Sequence, residues 1–378
     1  MEWIMSNTGR ELRSRIDADG AMTLSLEQVA IAEPGDDELV VRVEAAPINP
    51  TDLGLLTGPA DLTTMEVLQG ERTGIAFTVP QERLPAFRGR LGQSLRVGSE
   101  GAGTVVRAGR NLAGLEGRRV GMIGDGMYAD YRLIGGRNFM LLPDGANASD
   151  GASMFINPLT ALGLMETAGR EGHKAIVHTA AASNVGQMLQ KICLADGMPL
   201  INIVRSQEQV DILRGLGAVH VLNSKNEAFS TQLAEVIAQT GATIAFDPIG
   251  GGKLGGKILQ AMERAAVAKM PSYDRYGSSV FKQLYIYGAL DLSPTILNRA
   301  ALGFRWSVSG WLLWPFLHSV GPEVEDRLRQ RVIEELTTTF ATHYTRTISL
   351  AEALEPEVLL AYKRLATGEK YLIDPTRG

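Results

Sequence analysis

The sequence predicts an α/β protein with two domains, one built on a doubly wound parallel sheet and the other rich in β-strands. From about residue 153, short apolar runs alternate with amphipathic helical patterns, which is typical of a parallel sheet with helices on both faces. The first 150 residues instead contain strands of alternating apolar and polar side chains, such as Leu39–Glu44, separated by glycines and prolines. That pattern favours an antiparallel, barrel-like domain with short loops.

The individual elements are expected in the following order. Strands are expected at 39–44, 101–106, 118–123, 200–204, 219–222, 243–246, 283–290 and 304–313. Helices are expected at 154–168, around 185–193, 210–213 and 233–237, and between about 323 and 340. The tail from Thr345 is expected to form a strand and a helix and to end in Lys370–Ile373. The last two strands of the parallel part would complete a six-stranded sheet.

Length and composition limit the function classes. With 378 residues the chain is long enough for two cores, and its formal net charge of −5 argues against a nucleic-acid-binding protein. Cys193 is the single cysteine, which excludes an internal disulfide framework and a multi-cysteine zinc site within one chain. The start Met1–Ser6 lacks the features of a signal peptide, and no apolar run has the length of a membrane span. We therefore expect no membrane partner and a cytoplasmic location.

A turn of small residues after the first parallel strand predicts a dinucleotide site. His178 ends an apolar strand, and Ala181–Gly186 leads into a helix with an apolar face. The usual fingerprint has three glycines, of which only Gly186 is present here; Ala181 and Ser183 replace the other two. Because a strand, an amphipathic helix and a second strand surround the turn, the context predicts the Rossmann unit that the motif alone would not.

The end of the second strand predicts which dinucleotide is bound. An acidic residue there accepts from the ribose 2′-hydroxyl of NAD, whereas an arginine accommodates the 2′-phosphate of NADP. This chain has Arg205, followed by Ser206 as a possible hydroxyl donor. The sequence therefore predicts NADPH as the cofactor.

Three later strand ends are expected to border the same nucleotide, because ligands of open α/β sheets bind beyond the carboxyl ends of the strands. The full set of expected cofactor-binding residues is Ala182, Ser183, Asn184, Val185, Gly186, Arg205, Ser206, Asp247, Pro248, Ile249, Gly288, Ala289, Leu290, Gly310 and Trp311.

Taken together, the motifs resemble those of the zinc-independent medium-chain dehydrogenases/reductases, close to the NADPH:quinone oxidoreductase-like group. The motifs that carry the resemblance span nearly the whole chain and are Glu44–Asp52, Val97–Val106, Gly126–Tyr131, Asn157–Leu162, Ala181–Gly186 and Asp247–Gly251. The resemblance implies a GroES-like β-barrel catalytic domain over residues 1–152, an inserted NADP-binding Rossmann domain over 153–320, and a return to the catalytic domain over 321–378.

The resemblance also implies the chemistry and the residues around the nicotinamide. It places Asn49, Tyr128, Asn157 and Thr160 there, with Tyr128 as the expected proton donor or hydrogen-bond partner. Zinc-dependent relatives carry a cysteine in the position of Asn49 and a histidine before the glutamate of Ser99-Glu100, so no catalytic zinc is expected. Without a metal, the expected acceptor is one already activated toward hydride, a quinone or an α,β-unsaturated carbonyl.

Two other functions stay open. The stretch Ser183–Gln187 with Ile201–Arg205 looks like the cofactor turn of 2-enoyl thioester reductases. That group's catalytic tyrosine would be expected around Gly58–Ala60, but no tyrosine occurs between Met1 and Met127. The other possibility is a non-catalytic NADPH-binding protein.

Three further expectations concern insertions and assembly. The segments from about 61 to 96 and from about 265 to 282 are longer than in a typical relative and are expected to be lids or surface elaborations, and Tyr273–Tyr276 could reach a bound cofactor. The last strand would have an apolar free edge, which is usually covered. Family members pair such edges across a two-fold axis, so we expect a homodimer.

Overall fold

A computed structural model describes residues 8–68, 73–364 and 368–378. The start Met1–Ser6 and part of the segment 61–96 therefore lie outside the described residues. The chain divides into two compact units: Met1–Ile156 together with Arg331–Gly378, and Asn157–Gln330.

The strands and helices have the following bounds. The strands are β1 (Thr8–Ile16), β2 (Ala21–Ala30), β3 (Glu38–Pro47), β4 (Asp61–Val67), β5 (Gly74–Thr78), β6 (Leu95–Arg96), β7 (Glu100–Ala108), β8 (Arg119–Ile123), β9 (Tyr131–Gly135), β10 (Phe139–Leu141), β11 (Ile176–His178), β12 (Leu200–Val204), β13 (His220–Asn223), β14 (Ile244–Asp247), β15 (Gly250–Gly252), β16 (Lys282–Ile286), β17 (Asp291–Thr295), β18 (Trp306–Gly310), β19 (Arg346–Ile348) and β20 (Tyr371–Ile373). The helices are α1 (Leu53–Leu56), α2 (Ala148–Gly151), α3 (Ile156–Arg170), α4 (Asn184–Asp196), α5 (Gln207–Gly215), α6 (Phe229–Thr240), α7 (Leu254–Val267), α8 (Leu313–Val320), α9 (Pro322–Glu334) and α10 (Pro356–Lys363).

The first unit contains two mostly antiparallel sheets, in agreement with the β-rich expectation. Over the residues described, one sheet has the order β4-β5-β2-β1-β6, and the other has the order β10-β8-β7-β3-β20-β19 with β9 also paired to β3. The C-terminal strand β20 pairs antiparallel with β3, which brings the end of the chain back into this unit. Alternating side chains of these strands, such as Leu39, Val41 and Val43, are fully buried and join one core.

The second unit has the predicted parallel sheet. Its described strands lie in the order β13-β12-β11-β14-β16-β18, all parallel, so the order reverses between β11 and β14. In doubly wound sheets this switch point is where a dinucleotide binds. The predicted α/β fold, with a Rossmann sheet and an antiparallel β-rich part, is confirmed.

The last two strands of the sheet are shorter than the sequence pattern suggested. The expected strand 283–290 ends at Ile286 and the expected strand 304–313 ends at Gly310. At the first, the chain leaves the sheet because Gly288 packs against Pro248: a Cβ added to Gly288 would lie 2.6 Å from the Pro248 carbonyl oxygen. The glycines Gly250–Gly252, for which the sequence predicted no strand, form β15 and pair with β17.

None of the helices among the described residues is long and apolar enough to cross a membrane.

Candidate functional site

The turn after β11 has the close packing that a dinucleotide turn requires. Ser183 is the N-cap of α4, and its Oγ accepts from the Gly186 backbone N at 3.2 Å. A Cβ on Gly186 would lie 2.2 Å from the Ala181 carbonyl oxygen, so only glycine fits there. The turn therefore brings the N-terminus of a 13-residue helix up to the carboxyl end of the sheet. Such a helix end favours an anion, because its backbone N–H groups point toward the sheet edge and the helix dipole is positive there.

Arg205 lies immediately after β12, at the same edge of the sheet. Its backbone N donates to Gln209 Oε1 at 3.0 Å, and its side chain is exposed. Among the described residues no hydrogen bond or ion pair holds its guanidinium. The next residue, Ser206, caps α5 and accepts from the Gln209 backbone N at 3.3 Å, which leaves its hydroxyl proton available for donation.

Asp247 at the end of β14 holds the loop that follows it. The residue is 1% exposed, and its carboxylate accepts from the Thr179 hydroxyl, from the Ile249 backbone N at 2.9 Å and from the Gly250 backbone N at 3.3 Å. The Leu290 backbone N donates to the Pro248 carbonyl at 3.1 Å. The expected residues Asp247–Ile249 and Gly288–Leu290 are therefore brought together, and the Asp247 side chain acts on the loop itself.

Gly310 and Trp311 end the last parallel strand. Gly310 is exposed, whereas Trp311 is 7% exposed, with its Nε1 donating to Thr167 Oγ1 on α3 at 3.0 Å. The indole also packs on Phe316, with 5.4 Å between ring centroids. In this structure the Trp311 side chain thus stabilises the packing of α3 and α8.

The catalytic candidates of the first unit form one buried hydrogen-bonded chain. Tyr128 is fully buried, and its hydroxyl lies 3.0 Å from both the Pro47 carbonyl and Asp52 Oδ2. Asp52 Oδ2 also accepts from the Asn49 backbone N at 2.8 Å. The Asn49 side chain, 2% exposed, donates from Nδ2 to Glu100 Oε1 at 2.9 Å. Asn49 and Tyr128 are therefore linked through Asp52.

Glu100 also binds the backbone at Phe155 and Ile156, where the first segment of this unit ends. Its second carboxylate oxygen accepts from the backbone N of Phe155 at 3.2 Å and of Ile156 at 2.9 Å. Burial raises the pKa of Glu100 and of Asp52, and the nearby Lys370 ammonium opposes that rise in both. Burial, together with the Asp52 carboxylate, also raises the pKa of Tyr128 well above its usual value, so this phenol stays protonated.

Lys370 precedes β20 and supplies the cation of this cluster. Its Nζ donates to Ser153 Oγ at 3.0 Å, and the Tyr344 hydroxyl donates to the same oxygen at 2.8 Å. Burial lowers the pKa of Lys370 to about 8, against the opposing effect of Glu100 and Asp52. The cluster thus combines two buried carboxyl groups with one easily deprotonated amine.

Asn157 and Thr160 belong to the second unit, in the first turns of α3. They are 8% and 7% exposed and lie three residues apart, hence on the same face of the helix. The described part of the chain contains no group of three or more His, Cys, Asp or Glu side chains arranged to hold a metal ion.

The second insertion is anchored by a buried ion pair. Lys282 is fully buried and donates to Glu263, whose carboxylate also accepts from the Ser278 hydroxyl at 2.6 Å. Tyr273 in the same segment is 91% exposed, and Arg275 stacks on Tyr276 at 4.6 Å from the ring centroid. The insertion is thus anchored at its Lys282 end, whereas Tyr273 is exposed to solvent.

Sequence reasoning missed several residues of these clusters: Asp52, Glu100 and Lys370. Charged residues that begin or adjoin an apolar strand, as Glu100 and Lys370 do, were an available signal, because such groups are buried only when they are paired. His178, which the sequence places at the end of an apolar strand, ends β11 and is fully buried.

Comparison with known proteins gives related sequences and a shared fold. No family model matches the chain. The mitochondrial enoyl-acyl-carrier-protein reductase of Xenopus tropicalis is 31% identical over 212 residues, which cover 53% of this chain and 52% of the relative. The chain spans about half the length of the first curated relatives it matches.

Two solved structures share the fold over almost the whole chain. A protein provisionally assigned as an NADPH:quinone reductase from Mesorhizobium loti superposes with a TM-score of 0.73 at 24% identity, covering 98% of this chain and 99% of the other. The Etr1p complex with NADP and crotonyl-CoA gives a TM-score of 0.69 at 19% identity, covering 97% and 99%. The chain is thus similar in sequence to enoyl-acyl-carrier-protein reductases, and it shares its fold with these two structures.

Proposed function

We propose that this protein is an NADPH-dependent oxidoreductase of the medium-chain dehydrogenase/reductase type that transfers a hydride to a quinone or an α,β-unsaturated carbonyl compound. The observation that carries the proposal is the pairing of the tight turn at Gly186 with the exposed Arg205, one strand apart at the switch point of the parallel sheet. The turn would hold the pyrophosphate at the N-terminus of α4, and the arginine would bind the 2′-phosphate.

When bound, NADPH supplies a hydride from C4 of its nicotinamide ring. The chain's own residues would then orient the acceptor and hold its developing negative charge. We assign this role to Asn49, Asn157 and Thr160. The Tyr128 hydroxyl is directed to Asp52 and Pro47, so we propose that Tyr128 holds the Asp52 side chain in place. The hydrogen bond from Asn49 Nδ2 to Glu100 supports a fixed amide orientation in the first unit.

A 2-enoyl thioester reductase is the second candidate. The sequence relatives favour it, because the Xenopus tropicalis protein is named as an enoyl-acyl-carrier-protein reductase. The Ser183-Asn184 pair of the cofactor turn points the same way. Against it stands the segment Gly58–Ala60, which has no tyrosine where that group carries its catalytic one.

One assay series separates these functions from a non-catalytic NADPH-binding role. Purified protein is given NADPH with a panel of quinones, enones and crotonyl thioesters, and cofactor oxidation is followed by absorbance. We expect turnover on quinones or enones. Activity confined to thioesters would favour the second candidate, and tight NADPH binding without turnover on any acceptor would exclude both enzyme functions.

We also propose a homodimer formed through the free edge of β18. Large apolar side chains flank this strand, with Phe304 76% and Leu312 64% exposed, as expected for a covered surface. A light-scattering mass near twice 40.7 kDa is expected, and a mass near one chain would contradict the proposal. The cytoplasmic location stays a prediction, and the Xenopus tropicalis relative is mitochondrial by name.

A further inference from the structure

His178 and Tyr287 form a polar pair at the carboxyl edge of the parallel sheet. His178 is the last residue of β11, and Tyr287 directly follows β16. Their side chains meet on one face of the sheet, with His178 Nε2 2.8 Å from the Tyr287 hydroxyl and 18° between the ring planes. His178 is fully buried, and Tyr287 is partly exposed.

The histidine is neutral and has only one hydrogen-bond partner. Burial lowers the pKa of His178 to about 3, so a single ring nitrogen carries a proton at neutral pH. Nδ1 is buried and has no hydrogen-bond partner among the residues that the structure describes. A proton on Nδ1 would therefore be a buried donor without an acceptor, whereas a proton on Nε2 leaves only a lone pair unused. Because buried donors without acceptors are rare, we assign the proton to Nε2.

The position of the proton on His178 determines whether the Tyr287 hydroxyl accepts or donates in this pair. With Nε2 donating, the Tyr287 oxygen is an acceptor toward His178, and the phenol's own proton is left for another partner. No acceptor for it occurs within residues 8–68, 73–364 and 368–378. Burial, with Asp247 nearby, raises the pKa of Tyr287, so the phenol keeps that proton at neutral pH. The Tyr287 hydroxyl proton is therefore accepted by no described residue, and an oxygen of a bound ligand could accept it.

The position of Tyr287 indicates which part of a dinucleotide would lie near it. The two halves of a doubly wound sheet each bind one mononucleotide, and the first half here holds the turn and Arg205. Tyr287 follows β16, in the second half, and its backbone N donates to the Asp247 carbonyl at 3.0 Å. This is the half that faces the nicotinamide nucleotide.

We propose that Tyr287 donates a hydrogen bond to the carboxamide oxygen of the nicotinamide, with His178 as the positioning residue that keeps the phenol in its donor role. The inference rests on the proposed NADPH-dependent function and assigns a residue that fixes the orientation of the nicotinamide ring. A hydrogen bond to the carboxamide selects one rotation of the ring and hence the face that carries the transferable hydride.

The test is a set of binding titrations on Tyr287→Phe. The ligands are NADPH, its thionicotinamide analogue, in which sulfur replaces the carboxamide oxygen, and 2′,5′-ADP, which lacks the nicotinamide half. Loss of one neutral hydrogen bond should weaken NADPH binding about threefold to tenfold and leave 2′,5′-ADP binding unchanged. Because sulfur is a poor acceptor, the wild type should prefer NADPH over the thio analogue, and Tyr287→Phe should lose part of that preference.

Tyr285→Phe is the matched control. This phenol lies in β16, two residues before Tyr287, but its hydroxyl donates to Glu171 at 2.5 Å, so NADPH binding should not change. Unchanged NADPH binding in Tyr287→Phe would overturn the inference, as would an equal loss for 2′,5′-ADP. Normal binding with slower turnover and an altered solvent isotope effect would also overturn it, because the phenol would then serve the hydride acceptor. A wild-type protein that binds neither NADPH nor 2′,5′-ADP would instead refute the proposed function itself.

Discussion

Asn49 and Glu100 are joined by a buried side-chain hydrogen bond in which Asn49 Nδ2 donates to Glu100 Oε1 over 2.9 Å. The other oxygen of Glu100 accepts from the backbone N of Phe155 and of Ile156. One carboxylate therefore satisfies three donors, and an amide in its place has only one oxygen with which to do so. Glu100 thus orients the Asn49 amide and also satisfies the backbone N–H groups of Phe155 and Ile156.

The first prediction exchanges the amide and the carboxylate groups between Asn49 and Glu100. Glu100→Gln should destabilise the protein by about 1.5–3 kcal/mol, because the three donors to Glu100 lose their carboxylate acceptor. The double variant Asn49→Asp/Glu100→Gln restores a donor–acceptor pair with the polarity reversed, and should recover most of that loss. Denaturant unfolding of the wild type, Glu100→Gln, Asn49→Asp and the double variant gives the coupling energy directly. Additive effects of the two substitutions would contradict the buried hydrogen bond.

The second prediction concerns the nucleotide. Arg205→Ala should weaken NADPH binding by about 1.5–3 kcal/mol, a factor of roughly ten to 150, and leave NADH binding little changed, since NADH lacks the 2′-phosphate. Arg205→Lys should lie between, because an ammonium keeps the charge and loses the planar fork. Lys174→Ala is the control, an exposed cation ahead of β11, at the amino end of the sheet. Equal losses for both cofactors would show that Arg205 does not read the 2′-phosphate.

Periodicity and turn chemistry were enough to predict the parallel sheet, because both depend on local sequence. The strand Leu200–Val204 was predicted with the bounds that the structure gives, and all six parallel strands were anticipated. The pairing of Gly250–Gly252 with Asp291–Thr295 was not, since three glycines carry no strand pattern and the partner lies forty residues away. Strand ends fixed by packing, as at Gly288 against Pro248, are equally invisible to periodicity.

The sequence predicted the parts of the candidate site that lie within one motif. It did not predict the parts that depend on contacts between residues far apart in the chain. The turn and Arg205 follow from one βαβ segment. The link between Asn49 and Glu100 spans 51 residues and that between Lys370 and Ser153 spans 217, so neither sets a local pattern. The His178–Tyr287 pair depends in the same way on two strands meeting across a third.

The third prediction separates two roles of Tyr128. Its hydroxyl proton is already directed to Asp52 Oδ2 and the Pro47 carbonyl, and the side chain is fully buried. Tyr128→Phe should therefore lower the free energy of unfolding by about 1–2 kcal/mol and change kcat less than about threefold. Thermal unfolding and steady-state kinetics on the same preparation check both values. A fall in kcat beyond about a hundredfold, with normal NADPH binding, would instead support Tyr128 as the proton donor.

The fourth prediction follows from the pKa of Lys370, which burial lowers from the usual 10.5 to about 8. Between these two pH values the unfolded chain binds more protons at this residue than the folded chain does. The free energy of unfolding must therefore rise with pH across that window, because stability increases wherever the unfolded state holds the extra proton. Lys370→Met lacks this titration, so the stability of the wild type relative to Lys370→Met should increase from pH 8 to pH 10.5.

The measurement is denaturant unfolding of wild type and variants at several pH values in that range, compared as differences so that tyrosine titration cancels. Lys363→Met is the matched control, since it makes the same substitution at an exposed lysine at the end of α10. A stability difference for Lys370→Met that stays constant with pH would mean that the amine keeps its usual pKa. In that case Lys370 would stay mostly protonated beside Glu100 and Asp52 until the pH approaches 10.5.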